Sequence, residues 1–93
     1  MASRPVEIGP AGLHSARAIE RIRLARGLTQ HELAVRCTAL GRPMTNVALS
    51  RTERARRRCD VDDLVTIATA LGVPPETLLL PLVLATAADR RGC

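Results

Sequence analysis

An all-α domain of five short helices is predicted for this chain. No stretch alternates apolar and polar residues as a half-buried strand must. Apolar residues instead recur every three to four positions through most of the sequence. Helix-start and helix-stop residues punctuate that pattern: Thr29, Thr45 and Asp60 at starts, Gly27, Gly41 and Gly72 at stops. At 93 residues there is room for one domain only.

The first helix is expected over residues 13–26. Ser15 is its candidate cap, Ala16, Ile19 and Ile22 its buried face, and Gly27 its left-handed stop. Residues 1–12, with Pro5, Gly9, Pro10 and Gly12, read as a flexible N-terminal arm. Thr29-Gln30-His31-Glu32 is a capping box, because hydroxyl and carboxylate sit three residues apart. The second helix then carries Leu33, Ala34, Cys37 and Leu40 at helical spacing and stops at Gly41. Thr45 caps a third helix through Arg54. Its Leu49 and Thr52 face inward, and Asn46, Val47, Ser50, Arg51 and Arg54 face out. Asp60 and Asp63 form a second capping box. Val61, Leu64, Ile67, Ala68 and Leu71 are the expected inner face of the fourth helix. Pro74-Pro75-Glu76 opens a fifth, since proline suits a first helical position. Residues 13–80 are thus the folded domain, and 81–93 an apolar-then-polar tail.

Composition narrows the function. Phe, Tyr and Trp are absent. That excludes single-strand platforms that stack bases on aromatic rings, and aromatic cages for methylated cations. The net charge of +5 is unevenly placed. Residues 15–58 carry eleven arginines against three glutamates, net +8; residues 59–93 carry two against five carboxylates, net −3. A GC-rich coding bias favours arginine but does not segregate charge. The basic half therefore points to a polyanion. Three cysteines without CxxC spacing argue against a disulfide scaffold or a zinc site. His31-Glu32 opens a zinc-protease spacing, but position 35 is Val35, so no metal is expected. No cofactor is expected either. The longest apolar run, residues 78–85, is broken by Pro81 and too short to span a membrane. No signal peptide is read at the N-terminus, and the expected location is cytoplasmic.

The ordered set Ile19, Ile22-Arg23, Arg26-Gly27-Leu28-Thr29-Gln30, Glu32-Leu33-Ala34, Leu49-Ser50-Arg51, Glu53, Asp60-Val61, Leu64 and Ala70-Leu71-Gly72-Val73 resembles the lambda-repressor-like, or Cro/XRE, helix-turn-helix family. The resemblance spans roughly residues 15–80. It implies a helix-turn-helix made by the second and third helices, with the third in the major groove of B-DNA. It implies base-reading by Asn46, Val47, Ser50 and Arg51. It implies phosphate contacts from Thr29, Gln30, Thr45 and the arginines after the third helix, Arg54, Arg56, Arg57 and Arg58. It also implies an ion pair between Glu53 and an arginine of the first helix, here Arg23. Leu33 to Ser50 is longer than the family pattern, so the second helix and the turn are both expected to be lengthened. Ala55 stands where glycine is common, so the third helix is expected to run on into the arginines.

Arginine suits guanine O6 and N7, asparagine suits adenine, and a valine methyl suits the thymine methyl. The plainer readings are a solvated charge run for the arginines and simple packing for Val47. Cys37 reads as core and His14 and His31 as surface residues. Beside the arginines, Cys59 is a candidate for a lowered thiol pKa. The expected function is a sequence-specific double-stranded DNA-binding transcriptional regulator. The expected unit is a homodimer joined through the apolar Leu78-Leu79-Leu80-Pro81-Leu82-Val83-Leu84 segment; the plainer reading is that Leu78 and Leu79 complete the core while the rest is disordered or docks on its own domain. The alternative is a module of the same fold that binds a protein partner, antitoxin-like, without specific DNA binding. No nucleophile–base pair, paired carboxylates or phosphate loop supports an enzyme.

Overall fold

The computed structural model describes residues 7–80. Among them are four α-helices and no strand: α1 (Pro10–Ala25), α2 (Gln30–Ala39), α3 (Asn46–Glu53) and α4 (Val61–Leu71). The expected fifth helix is a single 3-10 segment, Pro75–Leu79. Its i→i+3 bonds, Thr77 N–H to the Pro74 carbonyl and Leu80 N–H to the Thr77 carbonyl, replace the α pattern. Leu80 precedes Pro81, which favours extended backbone there, and its ψ is 142°.

α1 starts earlier than the sequence suggests. Gly9 is the N-cap and Pro10 the first helical residue, so residues 10–12 belong to the helix and not to an arm. Ser15 is not a cap; it is buried inside the helix, its hydroxyl donating to the Gly12 carbonyl. Both capping boxes form as read. Thr29 Oγ1 accepts from Glu32 N–H at 3.0 Å, and Asp60 Oδ1 from Asp63 N–H at 2.7 Å.

Each helix ends in the same doubly bonded turn. In α1, Gly27 N–H donates to Leu24 and Leu28 N–H to Arg23; in α4, Gly72 donates to Thr69 and Val73 to Ala68. This turn needs one residue in the left-handed region, and Gly27, Gly41 and Gly72 supply it in three helices. In α3 the residue is Ala55, at φ 57°. The third helix therefore does not run on into the arginines. It stops at Glu53, closed by Ala55 N–H to Thr52 and Arg56 N–H to Arg51. An alanine Cβ in this conformation is crowded against its own backbone. Ala55→Gly is expected to stabilise the protein by about 0.5–1 kcal/mol, relief of that clash being partly offset by glycine's chain entropy. A thermal melt should then show Tm raised by several degrees.

α1 packs on α3, on α4 and on the 3-10 segment, and α2 packs on α3 and α4. Ala18, Ile19, Leu33, Cys37, Leu49, Ile67, Ala68 and Leu78 meet in an aliphatic core and are fully buried. Two expected core residues are not in it: Leu40 is 52% and Val61 75% exposed. Both flank a helix terminus, where the chain direction departs from the stripe. The ten-residue α2, the connection 40–45 and α3 make consecutive packed helices.

Candidate nucleic-acid interface

α3 presents its outer face because its inner one is committed. Leu49 and Thr52 are buried, and Thr45 Oγ1 caps the helix by accepting from Ala48 N–H at 3.0 Å. Asn46, Val47, Ser50, Arg51 and Arg54 share one open concavity with Gln30 of α2 and Arg56 beyond the helix. All four expected base readers are thus together. Val47 is 60% exposed, so it does not pack into its own domain. Thr29 is exposed at the start of α2, and its hydroxyl and backbone N–H are engaged by Glu32. That backbone N–H and hydroxyl hold Glu32 below the usual carboxylate range.

The arginine run divides. Arg54 and Arg56 line the α3 concavity. Arg57 and Arg58 line a different cleft, against Gly9 and Gly12 at the start of α1. Arg57 is further occupied by the domain itself: its Nη1 donates to Asp63 Oδ2 at 3.1 Å and to Thr52 Oγ1 at 3.2 Å. Among the described residues Arg51, Arg54, Arg56 and Arg58 have no carboxylate partner.

Arg42 has a role the sequence did not disclose. Its Nε donates to Asp63 Oδ1 at 2.8 Å and its Nη2 to Asp60 Oδ2 at 3.0 Å, tying the α2–α3 connection to the cap of α4. Burial alone would raise Asp63's pKa. The Arg42 hydrogen bond, the Asp60 backbone N–H and the Arg57 charge together outweigh it and hold the carboxyl below its ordinary value. Thr38 closes the same connection, its Oγ1 accepting from Met44 N–H at 3.2 Å. The sequence separations involved, 18 and 21 residues, carry no local spacing signal. A basic turn residue facing two capping aspartates was the only hint.

The Arg23–Glu53 pair is present. Arg23 Nε and Nη2 grip the two carboxylate oxygens at 2.7 and 3.0 Å, and Nη1 donates to the Leu28 carbonyl. Arg23 thereby joins α1, the start of α2 and the end of α3. Cys37 is core, and burial raises its pKa. Cys59, the candidate for a lowered thiol pKa, is shifted the other way: burial, then the Asp63 charge, push the thiol up to about 12 against the weaker pull of Arg57. His31 is exposed, but His14 is half-buried, hydrogen-bonded to the Leu80 carbonyl. Among the described residues no three metal-binding side chains gather, and no helix is long and apolar enough to cross a membrane.

Residues 15–80 match a family described as helix-turn-helix domain. The chain belongs to that helix-turn-helix family. A crystal structure of the hypothetical transcription factor NHTF from Neisseria is similar, with 26% identity, a TM-score of 0.69, and coverage of 91% of this chain and 97% of that one. No curated protein sequence matches. In this helix-turn-helix domain, α2 and α3 frame a surface where two side-chain amides, a valine side chain and three guanidinium groups lie together, the latter without carboxylate partners among the described residues.

Proposed function

We propose that this chain is a sequence-specific double-stranded DNA-binding transcriptional regulator of the lambda-repressor-like, or Cro/XRE, kind, with α3 in the major groove. One observation carries it: Asn46, Val47, Ser50 and Arg51 share a concavity with Arg54 and Arg56, whose charges no carboxylate of the described chain answers. Likeness to a hypothetical transcription factor supports it. Asn46, Val47, Ser50 and Arg51 read base edges. Thr29, Gln30, Thr45, Arg54, Arg56 and Arg58 hold phosphates, whose oxygens a guanidinium grips bidentately. Arg57 is set aside from that group, because its charge is already answered by Asp63 through Nη1, as the charges of Arg54, Arg56 and Arg58 are not among the described residues.

The test is selection of a preferred duplex from random sequence, followed by anisotropy titrations across salt. Binding that is selective and falls with salt supports the proposal. No salt-dependent duplex binding would favour the protein-binding alternative. Arg54→Ala with Arg56→Ala should weaken binding to all duplexes. The slope of log K against log salt should become shallower by about 0.9 for each phosphate no longer neutralised. Arg57→Ala should leave that slope in place and lower the melting temperature instead.

We extend the proposal to a homodimer, which would set two α3 helices about 34 Å apart on a palindromic site. Leu78 is spent on the core of its own chain. Leu79 and Leu80 are half-buried, and the remainder of the expected joining segment, from Pro81 on, lies outside the described residues. Light scattering on the full chain and on one ending at Leu80 checks this. A full chain that is monomeric both free and on DNA would exclude the dimer, and an unaffected truncation would move the interface elsewhere.

A further inference from the structure

Gln30 is the first residue of α2 and lines the concavity beside α3, yet its amide is not free. Its Nε2 donates to Glu53 Oε1 at 3.0 Å. That same oxygen accepts from Arg23 Nη2 at 3.0 Å, while Oε2 accepts from Arg23 Nε at 2.7 Å. The Glu53 side chain is fully buried and the Arg23 side chain nearly so. We infer that Glu53, anchored by Arg23, is a positioning residue for DNA binding that acts through Gln30, holding its amide in one rotamer and one flip state before the duplex arrives.

The chemistry is directional. A carboxylate only accepts, so the nitrogen end of the Gln30 amide must face Glu53. One amide hydrogen is thereby used, and the other hydrogen and Oε1 are held fixed relative to α3. A free glutamine side chain loses much rotamer freedom when it is immobilised at an interface. One already fixed by the core loses little. Arg23 has a second effect: it compensates the carboxylate, so that Glu53 does not set a bare negative charge beside a phosphate. The ion pair thus reaches the DNA-facing surface through one amide, although neither of its members is exposed enough to touch a duplex.

This inference rests on reading the α3 concavity as the DNA interface, and its test has an arm that needs no DNA. NMR of the full free chain should show the two Gln30 Nε2 protons widely separated in shift and slow to exchange. Averaged, fast-exchanging protons would overturn it. The second arm is a double-mutant cycle on the preferred duplex, well below the melting temperature of every variant. Gln30→Ala and Glu53→Gln should each weaken binding by roughly three- to ten-fold. Added to Gln30→Ala, Glu53→Gln should weaken it no further. Equal losses in both backgrounds would mean that Glu53 acts on the fold alone, and would overturn the coupling. If Glu53→Gln does not fold, Arg23→Lys replaces it in the cycle, since an ammonium offers one point charge where the guanidinium offers a fork. If the unaltered chain binds no duplex while the amide is fixed, the proposed function fails, and the role in DNA binding with it. The free-protein NMR keeps that failure separate from failure of the clamp.

Discussion

Arg23→Met is expected to destabilise the protein by about 3–5 kcal/mol, because it leaves Glu53 as an uncompensated charge in the interior. The Glu53 side chain is fully buried, and Arg23 supplies two of the three hydrogen bonds to it. Gln30 supplies the third and carries no charge. The Leu28 carbonyl loses its Arg23 donor as well. In so small a domain that loss is a large fraction of the available stability. Urea unfolding followed by circular dichroism measures it. Arg23→Met combined with Glu53→Leu should recover much of the loss, since a buried ion pair exchanged for apolar groups is often close to neutral. A single variant with an unchanged midpoint would mean that water reaches Glu53 and solvates it.

Particular residues show how far the sequence was legible. The capping boxes at Thr29 and Asp60 and the stops at Gly27, Gly41 and Gly72 were visible because they depend on neighbours within four positions. The outward set on α3 was visible for the same reason: Leu49 and Thr52 fix the phase of a short helix. Ala55 misled because its left-handed backbone is imposed by the Arg51 and Thr52 carbonyls that its turn satisfies, not by its own preference. The arginine run looked uniform in sequence. Its division between the α3 concavity and the Asp63 network depends on where α4 begins in space. At Cys59 the sequence shows the adjacent arginines but not the burial that outweighs them. Beyond Leu80, the tail lies outside the described residues.

Arg51→Ala is expected to weaken binding to the preferred duplex by about 1–3 kcal/mol and to relax the preference at one base position. Arg51 lies in the last turn of α3, is exposed, and shares the concavity with Asn46 and Ser50. Among the described residues its guanidinium has no carboxylate partner, so its donors remain available for guanine O6 and N7. The Arg51 backbone carbonyl closes the helix by accepting from Arg56 N–H, and alanine preserves that bond. The melting temperature should therefore stay within about a degree or two, as for most exposed substitutions. Loss of affinity without loss of stability separates a base contact from a structural role. The salt slope adds a second separation: a base reader leaves it nearly intact, whereas a phosphate contact takes about 0.9 of it away. Repeating the selection with the variant decides the matter. A preference unchanged at every position would remove Arg51 from the base-reading set, and a shallower slope in the same experiment would move it to the phosphates.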